Sequence, residues 1–204
     1  MAKKKTEKKA VKRQEPKVIV IPPIKIEKMT LNIIGDTPLL MHRFSEKAKN
    51  KIREKQTGKA NRGKGEARKP EEECMDAAHM IDKKTFGFPA EGFKKAAVTA
   101  CTSLNITKVQ TRQAFHVIGD VGNLVKIKAS KPVMREDTVR IPSGATLRYR
   151  PEFDQWSAKL SIVYNKGVVS AEQVANIFNT AGFAVGIGEW RPERSGQFGM
   201  FHVE

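Results

Sequence analysis

The sequence predicts an α+β fold: an antiparallel sheet backed on one face by two helices, interrupted by helical and basic insertions. Three observations predict it. Strand-like alternation recurs in well-separated stretches. Two amphipathic helix patterns with start signals fall between them. Positive charge is concentrated in two segments instead of spread along the chain. The net charge is +16 over 204 residues. Residues 1–16 hold seven Lys/Arg against two Glu, and residues 42–69 hold eleven against three. Those segments therefore carry +13 of the charge. The length suits one domain with a sizeable core. Cys74 and Cys101 form no CxxC pair, which points to a reduced, intracellular protein without disulfides. No apolar run reaches transmembrane length, so a cytoplasmic protein without a membrane partner is expected, in host cytoplasm if viral.

In chain order, residues 1–16 lack large apolar side chains and are expected to be a disordered basic tail. Lys17–Ile26 is β-rich, but Pro22 and Pro23 make it an edge strand or an arm. Lys28–Gly35 alternates Met29, Leu31 and Ile33, the first strand of the main sheet. Ser45 is placed to cap a basic helix over Lys47–Gln56, and Thr57–Pro70, with three glycines, reads as a flexible loop. Glu71–Asp82 has acids in its first turn, ahead of Met75, Ala78 and Met80, as in a short amphipathic helix. Pro89 can start a helix over Ala90–Leu104, with Phe93, Ala97, Ala100, Cys101 and Leu104 on one stripe. Ile106–Ile118 reads as another helix, Asn123–Ala129 as a strand and Val139–Ile141 as a short strand. Leu147–Pro151 and Trp156–Tyr164 read as a hairpin. Ser170 caps a helix with Val174, Ile177, Phe178 and Ala181 on one face, and Gly182 is its expected stop. Phe198–Val203 is the expected last strand.

With insertions at 36–88 and 106–140 set aside, residues 17–204 read as one domain in the order βαββαβ. This is the ferredoxin-like, RNA-recognition-like plan. Its sheet has one face free, and nucleic-acid binders place a strand on that face or its edge loops.

Three stretches carry a resemblance: the first strand with its turn, Gly87–Ala97 (GFPAEGFKKAA), and Gly186–Phe201 (GIGEWRPERSGQFGMF). Together they resemble the RAMP superfamily, the backbone and processing subunits of CRISPR guide-RNA complexes. The second is similar to that family's start of the first helix, the third to its terminal glycine-rich loop. Pro192 and Glu193 depart from the family's usual small, basic loop. The resemblance implies a sequence-tolerant grip on single-stranded nucleic acid by copies arranged side by side.

The residues add their own reading. Arg43, Lys47, Lys51, Arg53, Lys55, Lys59, Arg62, Lys64, Arg68 and Lys69 form a basic insertion suited to phosphate contacts. Lys94 and Lys95 lie off the apolar stripe of their helix. Arg148 and Arg150 share one strand face, expected to be open, with Tyr149 toward the core. In the last loop, Trp190 offers a stacking face and Arg191 and Arg194 offer charge. Gly186, Gly188, Gly196 and Gly199 can expose N–H groups to an anion. His42, His79, His116 and His202 are scattered, so no catalytic residue is assigned. Asp36 and Asp120 are lone turn acids; no P-loop, HExxH or zinc pattern occurs, and no cofactor or metal is expected. The expected function is single-stranded RNA or DNA binding, of phage or CRISPR-related type, in a homo-oligomer or multi-subunit nucleoprotein complex. The alternatives are a RAMP-type RNA-processing endoribonuclease and a structural virion protein with a basic arm.

Overall fold

The computed structural model describes residues 23–58, 67–142 and 144–204. The tail expected over 1–16, most of the strand expected from Lys17, and Lys59, Arg62 and Lys64 lie outside the described residues. In chain order the elements are β1 (Ile26–Gly35), β2 (Leu39–Leu40), α1 (Glu46–Gln56), α2 (Pro70–Asp76), β3 (Phe86–Pro89) and α3 (Ala90–Ala100). Then come α4 (Lys108–Ala114), β4 (Phe115–Ile118), β5 (Leu124–Ala129), β6 (Val133–Ile141), β7 (Gly144–Phe153), β8 (Trp156–Asn165), α5 (Ala171–Ala184) and β9 (Phe201–Val203). Single 3-10 turns lie at Cys101–Leu104 and Pro192–Arg194. The fold is mixed α/β with two antiparallel sheets.

The main sheet is organised around β8. β1 runs along one of its edges, Ile26–Ile34 opposite Asn165–Ser157. β4 and β5 share the other edge in succession. β9 lies beyond β1 and β3 beyond β5. The period-two pattern sends Leu31, Ile33, Leu160 and Ile162 to one face, where they are buried. α3 and α5 cover that face, placing Phe93 and Phe178 fully inside. Each such ring contributes about 1.5–3 kcal/mol of burial. Ser170 and Gln173 form a capping box that starts α5, as its spacing predicts.

The second sheet has the order β2–β7–β6. β6 and β7 form a long hairpin, Val133–Ile141 against Glu152–Gly144. β2 adds two residues beside Phe153 and Glu152.

Several expectations differ from this architecture. The stretches expected as a hairpin, Leu147–Pro151 and Trp156–Tyr164, both form strands, but in different sheets. Both edges of β8 are already occupied, so the chain turns a corner at Asp154–Gln155 and β7 pairs elsewhere. The segment expected as an insertion at 106–140 supplies β4 and β5, the strands that take the place beside β8. The helix expected over Ile106–Ile118 ends at Ala114, because Phe115 turns extended (φ −152°) to pack its ring on Phe178. The helix expected to Asp82 ends at Asp76. The strand expected over Val139–Ile141 begins at Val133, and the one expected from Phe198 begins at Phe201. Gly182 is not a stop: it lies inside α5, where a Cβ would sit 1.7 Å from the Phe201 carbonyl oxygen. Its role is to let β9 approach the helix backbone.

Candidate nucleic-acid interface

The larger cleft is built from the chain that leaves β2. Arg43 N–H donates to the Ala77 carbonyl (2.7 Å), fixing this segment beside α2. Ser45 then caps α1, its Oγ accepting from Ala48 N–H at 3.2 Å. α1 carries Lys47, Lys49, Lys51, Arg53 and Lys55 and buries no residue at all. Between α1, α2 and β7 runs a cleft of about 770 Å3. Arg43, Lys47, Lys51, Arg68, Lys69 and Arg148 line it, against Glu72, Glu73 and Asp76. Some of this charge is paired internally. Arg68 Nε donates to both carboxylate oxygens of Glu73 (2.9 and 3.1 Å), and its guanidinium lies 5.1 Å from the Tyr149 ring centroid. The pair holds the Glu73 carboxyl below its ordinary value and the Arg68 guanidinium above it. Lys69 donates to Glu72 at 2.7 Å.

A smaller cleft of about 240 Å3 lies between α3 and the loop that follows α5. Gly92, Lys95 and Thr99 form one wall; Gly186, Gly188, Glu189 and Arg191 form the other. His42 lines both clefts.

The glycine loop is not the open nest of N–H groups that its composition predicts. Ile187 N–H donates to Gly199 O (2.9 Å), Glu189 N–H to Leu40 O (2.9 Å), Phe198 N–H to Trp190 O (3.0 Å) and Gly199 N–H to Pro38 O (2.8 Å). The glycines serve backbone crossings. A Cβ would lie 1.8 Å from Ile187 O at Gly199, 1.7 Å from Trp190 O at Gly196 and 2.4 Å from Leu40 O at Gly188. Arg191 clamps the same loop, donating to Gly188 O (2.9 Å) and Glu193 (3.0 Å). Arg194 and Trp190 remain exposed.

Two histidines that the sequence left unassigned enter the site. His42 and His79 both line the smaller cleft with Lys95 and Glu189. Desolvation lowers His42, Arg150 and Arg148 lower it further, and Glu189 opposes them. Desolvation, Arg43 and Lys49 lower His79, whose ring stands edge-on to Phe88 at 6.1 Å. His42 could have been noticed as the neighbour of Arg43 at the mouth of the insertion. His79 carries no sequence signal.

The expected residues divide accordingly. Arg43, Lys47, Lys51, Arg68, Lys69 and Arg148 meet in one cleft; Lys95, Arg191, Gly186 and Gly188 meet in the other. Arg53 and Lys55 line neither, and Arg53 donates to Asn50 at 2.8 Å. Lys94 reaches the sheet edge and donates to His116 Nδ1 at 2.9 Å. Arg150 corrects the expectation of two open arginines. It is 5% exposed, donates to Asp137 at 3.1 Å and leaves its Nε without a hydrogen-bond partner. Burial rises toward the C-terminal end of β7, so Arg148 is exposed and Arg150 is not. Tyr149 is half-buried under Arg68, not in the core.

No protein-family model matches the chain, and a comparison with curated proteins finds no match. Among the described residues no helix is long and apolar enough to cross a membrane. Among them, too, no group of three or more His, Cys, Asp or Glu could hold a metal ion.

Proposed function

We propose that this protein binds single-stranded nucleic acid in a sequence-tolerant way, holding the phosphate backbone in the larger, basic cleft. The observation that carries this reading is α1: a helix with five cationic side chains and no buried residue, of which Lys47 and Lys51 line a cleft with Arg68, Lys69 and Arg148. Such a helix gains no support from packing, which stabilises most protein helices. Like charges one turn apart also repel. A polyphosphate in the cleft removes that repulsion and releases counterions. We read the core as ferredoxin-like, from β1, α3, β4/β5, β8, α5 and β9 in the chain and β9–β1–β8–β5 across the sheet. The resemblance of Gly87–Ala97 and Gly186–Phe201 to the RAMP superfamily supports the same reading and suggests repeated copies along one strand. The test is binding of RNA and DNA oligonucleotides at two salt concentrations, for the wild type and a chain lacking residues 57–69. The expected result is affinity that falls steeply with salt and a weaker, shallower dependence for the deletion. Salt-independent binding overturns the reading.

A second reading has one observation in its favour. His42 and His79, both held toward the neutral form, line a cleft with Lys95 and Glu189. A neutral imidazole can take the proton of a ribose 2′-hydroxyl, whose oxygen then bonds to the adjacent phosphorus as the P–O5′ bond breaks, giving a 2′,3′-cyclic phosphate and a 5′-oxygen that is protonated by the imidazolium or by water. Cleavage of RNA but not DNA, lost in His42→Ala or His79→Ala, would establish it. Intact RNA after long incubation removes it.

A further inference from the structure

We propose that the larger cleft grips bases as well as phosphates, with Phe44 and the Arg68 guanidinium over Tyr149 as its stacking surfaces. The proposal rests on the reading above, in which that cleft holds a single strand, and adds side chains that reading does not use. Phe44 lines the cleft and is 52% exposed, on a segment fixed at both ends. Before it, Arg43 N–H is bound to Ala77 O (2.7 Å); after it, Ser45 caps α1. An apolar residue just ahead of a helix cap often packs on the fourth helical residue. Here that residue is Lys49, whose ammonium donates to Glu46 (2.6 Å), so the apolar partner is missing. Among the described residues the Phe44 ring meets no other aromatic ring and no cation. A large ring held out into a cleft by a pinned backbone leaves apolar surface in water. A flat ligand would cover it.

The second surface comes from α2 and β7. The Arg68 guanidinium lies 5.1 Å from the Tyr149 ring centroid, within cation–π range, and Glu73 holds it there. The Arg68 side chain is still 42% exposed. Bases stack on aromatic rings and on guanidinium planes alike. Charge sorts the strand between the walls. On the α2 side Arg68 is paired with Glu73 and Lys69 with Glu72, and Asp76 adds a further acid. α1 brings Lys47 and Lys51 into the cleft and no acid, and β7 adds Arg148. Phosphates therefore follow α1 and Arg148, and the uncharged bases turn toward Arg68 and Tyr149. At about 770 Å3 the cleft has the size of pockets that enclose whole small molecules, roughly 300–1,000 Å3, so it has room for bases and not only for a passing backbone. Every base has a flat face, so stacking of this kind keeps the grip sequence-tolerant. In a duplex those faces are covered by neighbouring bases, so the surface selects unpaired strands.

The test uses the full chain and three short probes of equal length: oligothymidylate, oligouridylate and an abasic phosphodiester. Affinity and its salt slope are read for the wild type, Phe44→Ala, Phe44→Trp, Arg68→Lys and K47E/K51E/R148E. Phe44→Ala should lose about fivefold to 150-fold for the two base-bearing probes, at unchanged slope, and nothing for the abasic one. Phe44→Trp should bind as the wild type does. Arg68→Lys keeps the charge but not the plane, and should weaken the base-bearing probes alone. An abasic probe held as tightly as oligothymidylate overturns the proposal. So does Phe44→Ala with wild-type affinity, or with an equal loss for all three probes, which would mark a structural role. An Arg68→Lys chain with the wild type's preference for bases overturns the second surface. These outcomes leave the cleft reading intact where K47E/K51E/R148E loses affinity and slope. If that variant binds like the wild type, the cleft reading falls, and the stacking proposal with it.

Discussion

The main sheet with α3 and α5, and the basic helix α1, differ in what holds them. In the first region Phe93, Phe115, Phe178 and Phe201 are fully buried, and each ring touches another at 5.6–6.2 Å. α1 buries nothing and leaves Ile52 44% exposed. It is held by the Ser45 cap and by surface ion pairs such as Lys49–Glu46 (2.6 Å). Exposed pairs of this kind add little stability. A region held by burial keeps its shape whatever binds. A region of unbalanced charge on a polar helix would, on the proposed function, be completed energetically by a polyanion.

The largest effect should come from the packed side of that comparison. Phe178→Ala should cost about 3–5 kcal/mol in urea unfolding, while Ile52→Ala should stay within about 0.5 kcal/mol. Equal losses would erase the distinction between the two regions. Gly182→Ala should also be strongly destabilising, because its Cβ meets backbone that cannot move aside. A melting temperature equal to wild type would contradict the close approach of β9.

Charge reversal should show the opposite profile. K47E/K51E/R148E should leave thermal unfolding nearly unchanged but lower oligonucleotide affinity, with a salt slope shallower by about 2. Acid pH sharpens the contrast further. His42 and His79 are lowered in the folded protein from an ordinary value of 6.5. The unfolded chain therefore takes up protons that the folded one resists. Their stabilising contribution is complete above pH 6.5 and is lost as pH falls through the lowered folded values. Protonated His42 adds positive charge to both clefts, so binding should tighten over the same range in which stability declines. A parallel loss of both, followed by anisotropy and thermal melting, would count against His42 as a cleft residue. The smallest effect is expected for R53A/K55A, which line neither cleft and should leave the stoichiometry as it is.

Local signals were legible wherever a residue acts on its own neighbours. Ser45 and Ser170 cap helices, Pro89 precedes α3, and the alternation of Trp156, Ala158, Leu160, Ile162 and Tyr164 buries all five. Partner choice was not legible. Two short strands joined by Asp154–Gln155 look like a hairpin, yet they enter different sheets. Among the expected cleft residues the basic insertion was readable because charge is additive along a sequence. The fate of Arg150 was not, since a strand shows its period but not what covers it.

The sequence alone determined the uneven placement of charge, most helix starts and the inward face of β1 and β8. Each depends on interactions within a few residues. Tertiary structure decided that β4 and β5 take the edge of β8, that the last glycines serve backbone crossings, and that His42 lines two clefts. Those depend on contacts between residues far apart in the chain. Their energies come from close packing and shared hydrogen bonds, which exist only once the elements have met.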